Sequence, residues 1–315
     1  MRANAVVLRQ PRDLGLELVT LDAPGPEDVV VRVRASGVST GTERLLWTGE
    51  MPDFPGMGYP LVPGYEAVGE IVEAGARSGR RVGERVFVPG ARCFGEVRGL
   101  FGAAADTLVC AGARVVPVDA ALGDAGALIA LAATARRAWP EDATAAATPA
   151  LIVGHGVLGR LLARIAVALG APAPMVWEIA PERRSGAEGY ELRAPEDDPR
   201  RDYAHVIDVS GAADQLDRLI ARLAPGGEVT LAGFYSAPLS FAFPPAFMKE
   251  ARMRVAAAWK PDDLADTRRL IETGALSMGG LITHRAPAAQ AADAYRTAFE
   301  DSRCLKMILN WSDAA

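Results

Sequence analysis

The chain has 315 residues, about twice the length of a typical single domain, so two domains are expected. Half of its residues are hydrophobic and 23% are charged, the balance of a soluble globular protein. The formal net charge of -5 offers no basic field for nucleic acid.

Three well-separated cysteines, Cys93, Cys110 and Cys304, give neither a disulfide framework nor a C-x2-C zinc pair. They suit a reducing cytoplasm. The opening MRANAVVLRQP runs straight into a strand pattern and carries no signal-peptide signature. The apolar stretch Ala143–Val153 holds Pro149 and is too short to span a bilayer. A cytoplasmic protein is expected, at most peripheral to a membrane.

The first 120 residues read as β-rich. Strands are expected at Asn4–Leu8, Asp28–Ala35, Ala67–Glu73, Arg85–Val88, Thr107–Cys110 and Val115–Pro117, with Gly and Pro between them. Thr42–Gly49 is expected as a short helix. The loop Glu50–Pro63 is rich in Pro, Met and aromatics, either core lining or a wall for an apolar ligand.

From Ala121 the pattern becomes α/β. Helices are expected at Asp124–Trp139, Val157–Leu169, Gln215–Leu223, Asp262–Thr273 and Ala289–Glu300. Strands are expected at Pro149–Val153, Met175–Ile179, His205–Val209, Glu228–Ala232, Arg252–Trp259 and Lys306–Leu309. The alternation predicts a doubly wound parallel sheet. Pro181–Tyr203 reads as a trimmed, irregular part of it.

Gly154-His155-Gly156-Val157-Leu158-Gly159 is a G-x-G-x-x-G between an apolar strand and a helix, the context that makes it a dinucleotide fingerprint. Glu178 stands 24 residues after Gly154, where a carboxylate would accept ribose hydroxyls and repel a 2′-phosphate. NAD is therefore expected over NADP, although Arg183 and Arg184 follow closely. Ser210, Gly211 and Gly233 lie at strand ends, as cofactor contacts or as plain turn residues.

Gly37–Glu43, Pro60–Gly75, Gly83–Val86, Ala127–Ala135, the fingerprint and Leu281–Arg285 together resemble the medium-chain dehydrogenase/reductase superfamily over the whole chain. The resemblance implies a GroES-like β-rich substrate domain, 1–122 with 281–315, and a Rossmann NAD-binding domain, 123–280. Zinc members place ligands near positions 39, 65 and 130; here stand Ser39, with Thr40 beside it, Tyr65 and Ala130. None is a good soft ligand, so no catalytic zinc is expected.

Within the superfamily, GVSTGTERLLWTGEMPDFPGMGYPLVPGYE, ALIALAATARRAW and VIDVSGAADQLDRLI are similar to dehydrogenases of bacteriochlorophyll biosynthesis. That resemblance implies oxidation of a ring 3-(1-hydroxyethyl) group to 3-acetyl on a tetrapyrrole, with NAD as acceptor. Ser39, Thr40, Trp47, Phe54, Met57 and Tyr59 are the expected substrate-pocket residues.

Without a metal, side chains must manage the alcohol proton. Thr42 matches the family's hydroxyl relay position. Tyr65 is a substrate contact, or fills the vacated cavity with its hydroxyl on Glu66. Glu66 and Glu43 are a base or orienting groups. His155 is a proton acceptor, a helix cap or a phosphate contact. A zinc-free quinone or enone reductase and a catalytically silent nucleotide-binding relative are the competing alternatives. Pairing as a homodimer is left open.

Overall fold

The computed structural model describes residues 1–141 and 149–311. The first part of the run Ala143–Val153 and the last four residues of the expected 281–315 segment lie outside the described residues. The elements, in chain order, begin with β1 (Arg2–Gln10), β2 (Asp13–Thr20), β3 (Asp28–Val38), α1 (Thr42–Thr48), β4 (Leu61–Pro63), β5 (Ala67–Ala74), β6 (Arg85–Val88), β7 (Arg98–Leu100), β8 (Thr107–Ala111) and β9 (Val116–Pro117). A 3-10 stretch, Ala120–Leu128, leads into α2 (Ile129–Ala138). Next come β10 (Leu151–Val153), α3 (Val157–Ala168), β11 (Met175–Trp177), β12 (Glu191–Arg193), β13 (Tyr203–Asp208), α4 (Leu216–Ile220), β14 (Leu223–Leu231), α5 (Phe243–Lys249), β15 (Arg252–Val255) and α6 (Pro261–Glu272). The chain closes with β16 (His284–Pro287), α7 (Ala291–Glu300) and β17 (Met307–Asn310).

Contacts divide the chain into two compact units, Met1–Ala130 with Gly280–Ala315, and Leu131–Gly279. In the first, β2-β1-β4-β7 form one sheet, and β16-β17-β3-β5-β6-β9 form another, with β8 also paired to β3. Val29, Val31, Val33, Ile71, Val86 and Leu108 fill the space they enclose. β3 is the hub of the larger sheet. Its end pairs antiparallel with β5, Ser36 opposite Ala67, and with β17, Val38 opposite Met307. The residues just beyond these strand ends, Ser39, Glu66 and Lys306, therefore meet at one end of the sheet.

In the second unit all pairs are parallel, in the order β12-β11-β10-β13-β14-β15. β10 is Leu-Ile-Val and fully buried, as a central parallel strand covered on both faces must be. Val153, Asp208 and Leu231 stand side by side in register, which sets the strand ends after them in one row.

Several expected elements change shape. β2, β4, β7, β12, α5 and β16 were not expected. The helix expected over Asp124–Trp139 starts as the tight 3-10 stretch and is α-helical only from Ile129. The helix expected over Gln215–Leu223 is the short α4, because Leu223 already pairs with Tyr203. The strand expected over Arg252–Trp259 ends at Val255, where its pairing with β14 runs out at Leu231. Pro181–Tyr203 is not wholly irregular: β12 lies within it and adds the outer strand beside β11.

Candidate active site

The strand-end geometry gathers a polar cluster in the first unit. Lys306 Nζ lies 2.9 and 2.8 Å from the two carboxylate oxygens of Glu66. Both side chains are sealed, at 1% and 0% exposure. An isolated charge buried this deeply costs several kcal/mol, so each ion is tolerable only beside the other. Burial pushes the Glu66 carboxyl up, and the Lys306 ammonium pulls it back down. Gly37 makes room for the pair: a Cβ there would stand 2.3 Å from a Glu66 oxygen.

In front of this pair, Ser39 Oγ and Tyr65 Oη are 2.6 Å apart. Thr42 lies within reach of the Tyr65 side chain. Burial first, and the Glu66 charge second, hold the Tyr65 phenol well above its ordinary value. Tyr65 is therefore a hydroxyl donor at neutral pH. Its hydroxyl meets Ser39 rather than Glu66, whose two oxygens face Lys306.

Glu43, on the first turn of α1, supports the cluster from the other side. Its oxygens accept the Ser39 backbone N–H at 2.8 Å and the Tyr295 hydroxyl at 2.7 Å. Burial raises Glu43 to about 7, with the neighbouring Glu66 charge adding to the rise. Lys306 and Tyr295 lie more than 200 residues from Glu66 and Glu43 in sequence, and no local pattern announced them.

The expected pocket residues form a connected apolar wall. Trp47, Phe54, Met57, Tyr59 and Phe101, all half-buried, pack on Leu8, Leu46, Leu61 and Leu100. Phe101 ties the wall to the polar cluster, edge-on to Phe54 at 6.0 Å and to Tyr65 at 5.6 Å. Trp47 meets Phe299 of α7 at 5.5 Å. Tyr59 points its hydroxyl at the Leu46 carbonyl and so fixes the loop to α1. Thr40 is half-buried beside Ser39 on the turn into α1. Phe101 and Phe299 were not anticipated.

These residues do not fit a zinc ion. Ser39 and Tyr65 bond each other, the third ligand position is Ala130, and both oxygens of the nearby Glu66 carboxylate are taken up by the Lys306 ammonium. Among the described residues no group of three or more His, Cys, Asp or Glu could hold a metal.

The fingerprint in the second unit fits a dinucleotide. Gly154 sits at φ 107°, in the region that favours glycine. A Cβ on Gly159 would lie 1.8 Å from the Gly154 carbonyl oxygen, so only glycine lets α3 approach the turn. Gly156 has open space where a side chain would stand, and no side chain caps α3. Its first N–H groups are thus available to a phosphate, with Val157 and Leu158 forming the opening turn.

Glu178 is buried, one oxygen accepting His155 N at 3.1 Å and the other Ala180 N at 2.9 Å. Two acceptor positions of the carboxylate remain for a ribose diol. Ser210 donates from N and Oγ to Asp208, which also accepts the Tyr235 hydroxyl. Gly233 and Gly211 approach too closely for a Cβ on Gly233, 2.9 Å from Gly211 N. Asp208 and Tyr235 are the unexpected members of this row.

His155 is completely buried, with its ring turned into the protein. Nδ1 lies 2.8 Å from the Arg183 carbonyl and Nε2 2.8 Å from the Tyr190 hydroxyl. A carbonyl only accepts, so Nδ1 carries the proton and Nε2 accepts from Tyr190. Burial lowers the ring's pKa to about 4.

No helix among the described residues is long and apolar enough to cross a membrane. The alcohol dehydrogenase GroES-like domain matches residues 25–120. The chain is 58% identical to the 2-desacetyl-2-hydroxyethyl bacteriochlorophyllide A dehydrogenase of Rhodobacter capsulatus, covering 100% of both chains. It is 57% identical to the protein of the same name from Cereibacter sphaeroides, again covering 100% of each. Among solved structures, L-idonate 5-dehydrogenase from Escherichia coli superposes with a TM-score of 0.86 over 99% of both chains at 16% identity, a likeness of fold. The chain therefore belongs to the medium-chain dehydrogenase/reductase family, in the branch that holds the 2-desacetyl-2-hydroxyethyl bacteriochlorophyllide A dehydrogenases.

Proposed function

We propose that this protein oxidises the 3-(1-hydroxyethyl) group of a bacteriochlorophyllide to 3-acetyl, with NAD and without catalytic zinc. The observation that carries the zinc-free chemistry is the Ser39–Tyr65 hydroxyl pair at 2.6 Å, standing where family zinc ligands would be. The whole-chain likeness to the two named dehydrogenases supports the substrate.

Tyr65 and Ser39 would bind the substrate oxygen, and Tyr65, with its raised pKa, would keep its own proton and orient that oxygen. The hydroxyls of Ser39 and the half-buried Thr42 would hand the alcohol proton on to bulk water, with Tyr65 holding the substrate oxygen in place. Glu66, with both oxygens on Lys306, would serve as an orienting charge rather than as the base. The half-buried wall Trp47, Phe54, Met57, Tyr59 and Phe101 suits a flat apolar macrocycle.

Gly154, Gly156, Gly159, Val157 and Leu158 would hold the pyrophosphate, with Ser210, Gly211 and Gly233 along the same row of strand ends. When bound, the nicotinamide supplies the hydride acceptor. Glu178 supports NAD over NADP, and so does Arg184. That guanidinium, one of the two cations that follow Glu178, is committed to the carbonyls of Glu178 and Ile179 at 2.7 Å each.

We also take the chain to work in the cytoplasm and to pair with a second copy along β15. That strand ends its sheet, and Val255, Phe243, Phe247 and Met248 are exposed beside it. Sedimentation at micromolar concentration should return twice the chain mass.

The deciding experiment is turnover of 3-(1-hydroxyethyl) bacteriochlorophyllide with NAD, followed by the pigment's absorption shift. Absence of turnover, or one tightly bound zinc per chain by elemental analysis, would overturn the assignment.

A further inference from the structure

His155 stands inside the fingerprint, at a position whose side chain the phosphate-binding turn does not need. Its ring is fully buried and both nitrogens are spoken for by a single segment, through the Arg183 carbonyl and the Tyr190 hydroxyl. Arg160, one turn into α3, reinforces the same point by donating to the carbonyls of His155 and Arg183, both at 3.2 Å. The backbone N–H of His155 meanwhile donates to Glu178. One residue thus joins the phosphate turn, the ribose-binding acid and the stretch that follows that acid.

The need for such a join is visible in the topology. The crossover from β11 to β12 carries only a three-residue 3-10 turn, Pro181–Arg183, where a doubly wound fold ordinarily places a helix. Without a helix to pack down, the stretch needs side-chain ties. Tyr190 supplies one, edge-on to the His155 ring at 5.7 Å and hydrogen-bonded to it. Neutral at physiological pH, the ring can donate at one nitrogen and accept at the other, as the geometry demands.

We propose that His155 is a positioning residue for the adenosine ribose: with Tyr190 it latches the Arg183–Tyr190 segment behind Glu178 and thereby sets the preference for a free ribose diol over a 2′-phosphate. This rests on the NAD-binding function proposed above. It also assigns the imidazole away from proton transfer, since neither ring nitrogen is left to receive a proton from a substrate.

The test is titration of the full chain with NADH and NADPH, followed by cofactor fluorescence, for the natural protein and three variants. His155→Leu removes both ring bonds and should weaken NADH binding by roughly tenfold while narrowing the gap to NADPH. His155→Asn keeps a donor for the Arg183 carbonyl and should recover part of that loss. Tyr190→Phe removes one hydroxyl without altering the packing, and should raise the KM for NAD by about threefold with kcat unchanged. It keeps the test decisive should His155→Leu fold poorly.

NADH affinity and NADH/NADPH preference unchanged in Tyr190→Phe and His155→Asn would overturn the latch while leaving the NAD assignment intact. A natural protein that binds neither cofactor would overturn both. A kcat loss with unchanged cofactor affinity would overturn the latch and return the imidazole to the chemistry.

Discussion

The two candidate sites are built on opposite principles. The fingerprint of the second unit is made by leaving side chains out: Gly154 for its dihedral, Gly159 for the approach of α3 and Gly156 for open space. The polar cluster of the first unit is made by bringing side chains in. Residues near 40, 65, 295 and 306 arrive on α1, the start of β5, α7 and the start of β17. A site made of backbone is short-range and local. A site made of side chains depends on the register of a whole sheet.

The comparison can be broken at the polar cluster first. Lys306→Met should cost about 3–5 kcal/mol in denaturant unfolding, because it strands the Glu66 carboxylate without a partner. Lys306→Met combined with Glu66→Gln should return most of that loss. If the single variant were as stable as the natural chain, the cluster would not depend on charge pairing at all.

The corresponding test in the second unit adds one carbon rather than removing a charge. Gly159→Ala should cost up to about 3 kcal/mol and weaken NADH binding by at least about tenfold, since its Cβ meets the Gly154 carbonyl. Normal affinity in that variant would mean that the turn yields and that the glycine is not essential.

Tyr65→Phe sharpens the difference between support and chemistry. It should leave the fold intact and lower kcat by about a hundredfold, the scale of one lost hydroxyl donor at a reacting oxygen. An unchanged kcat would demote Tyr65 to a cavity filler.

The smallest effect per unit of pH distinguishes the two units by sign. Glu43 is raised by burial to about 7 in the folded chain, so the folded state holds a proton that the unfolded state releases. Its contribution is fully present below about pH 4.5 and is lost as pH rises through 7. His155 is depressed to about 4, so its contribution is present above about pH 6.5 and lost as pH falls through 4. Each tilts stability by up to about 1.4 kcal/mol per pH unit, in opposite directions. Glu43→Gln should therefore expose the upward tilt of His155 in unfolding curves between pH 4.5 and 6.5. A flat profile in that variant would show that the two do not oppose one another.

The same contrast explains what could be read from the sequence. Gly154–Gly159 and Glu178 were legible because strand, turn, helix and acid follow one another within a short span. The wall residues Trp47, Phe54, Met57 and Tyr59 were legible because they crowd one loop. Lys306 and Tyr295 were not, since nothing local distinguishes a lysine before a strand or a tyrosine on a helix from a surface residue. β2 went unread because its acids and Gly15 interrupt the apolar pattern, although it pairs with β1 along nearly its whole length. The role of His155 was equally hidden: the fingerprint marks the position, but only the missing crossover helix explains why an imidazole occupies it.

Gly37 carries a consequence for how this sequence can change over generations. Any side chain there would collide with the Glu66 carboxylate, and Glu66 in turn is needed by Lys306. The three positions are therefore not free to drift independently, and the order of substitution matters. The side chain at position 66 must be shortened, and Lys306 relieved of its charge with it, before position 37 can accept even alanine, and a chain that had taken alanine first could not regain the pair without reversing that step.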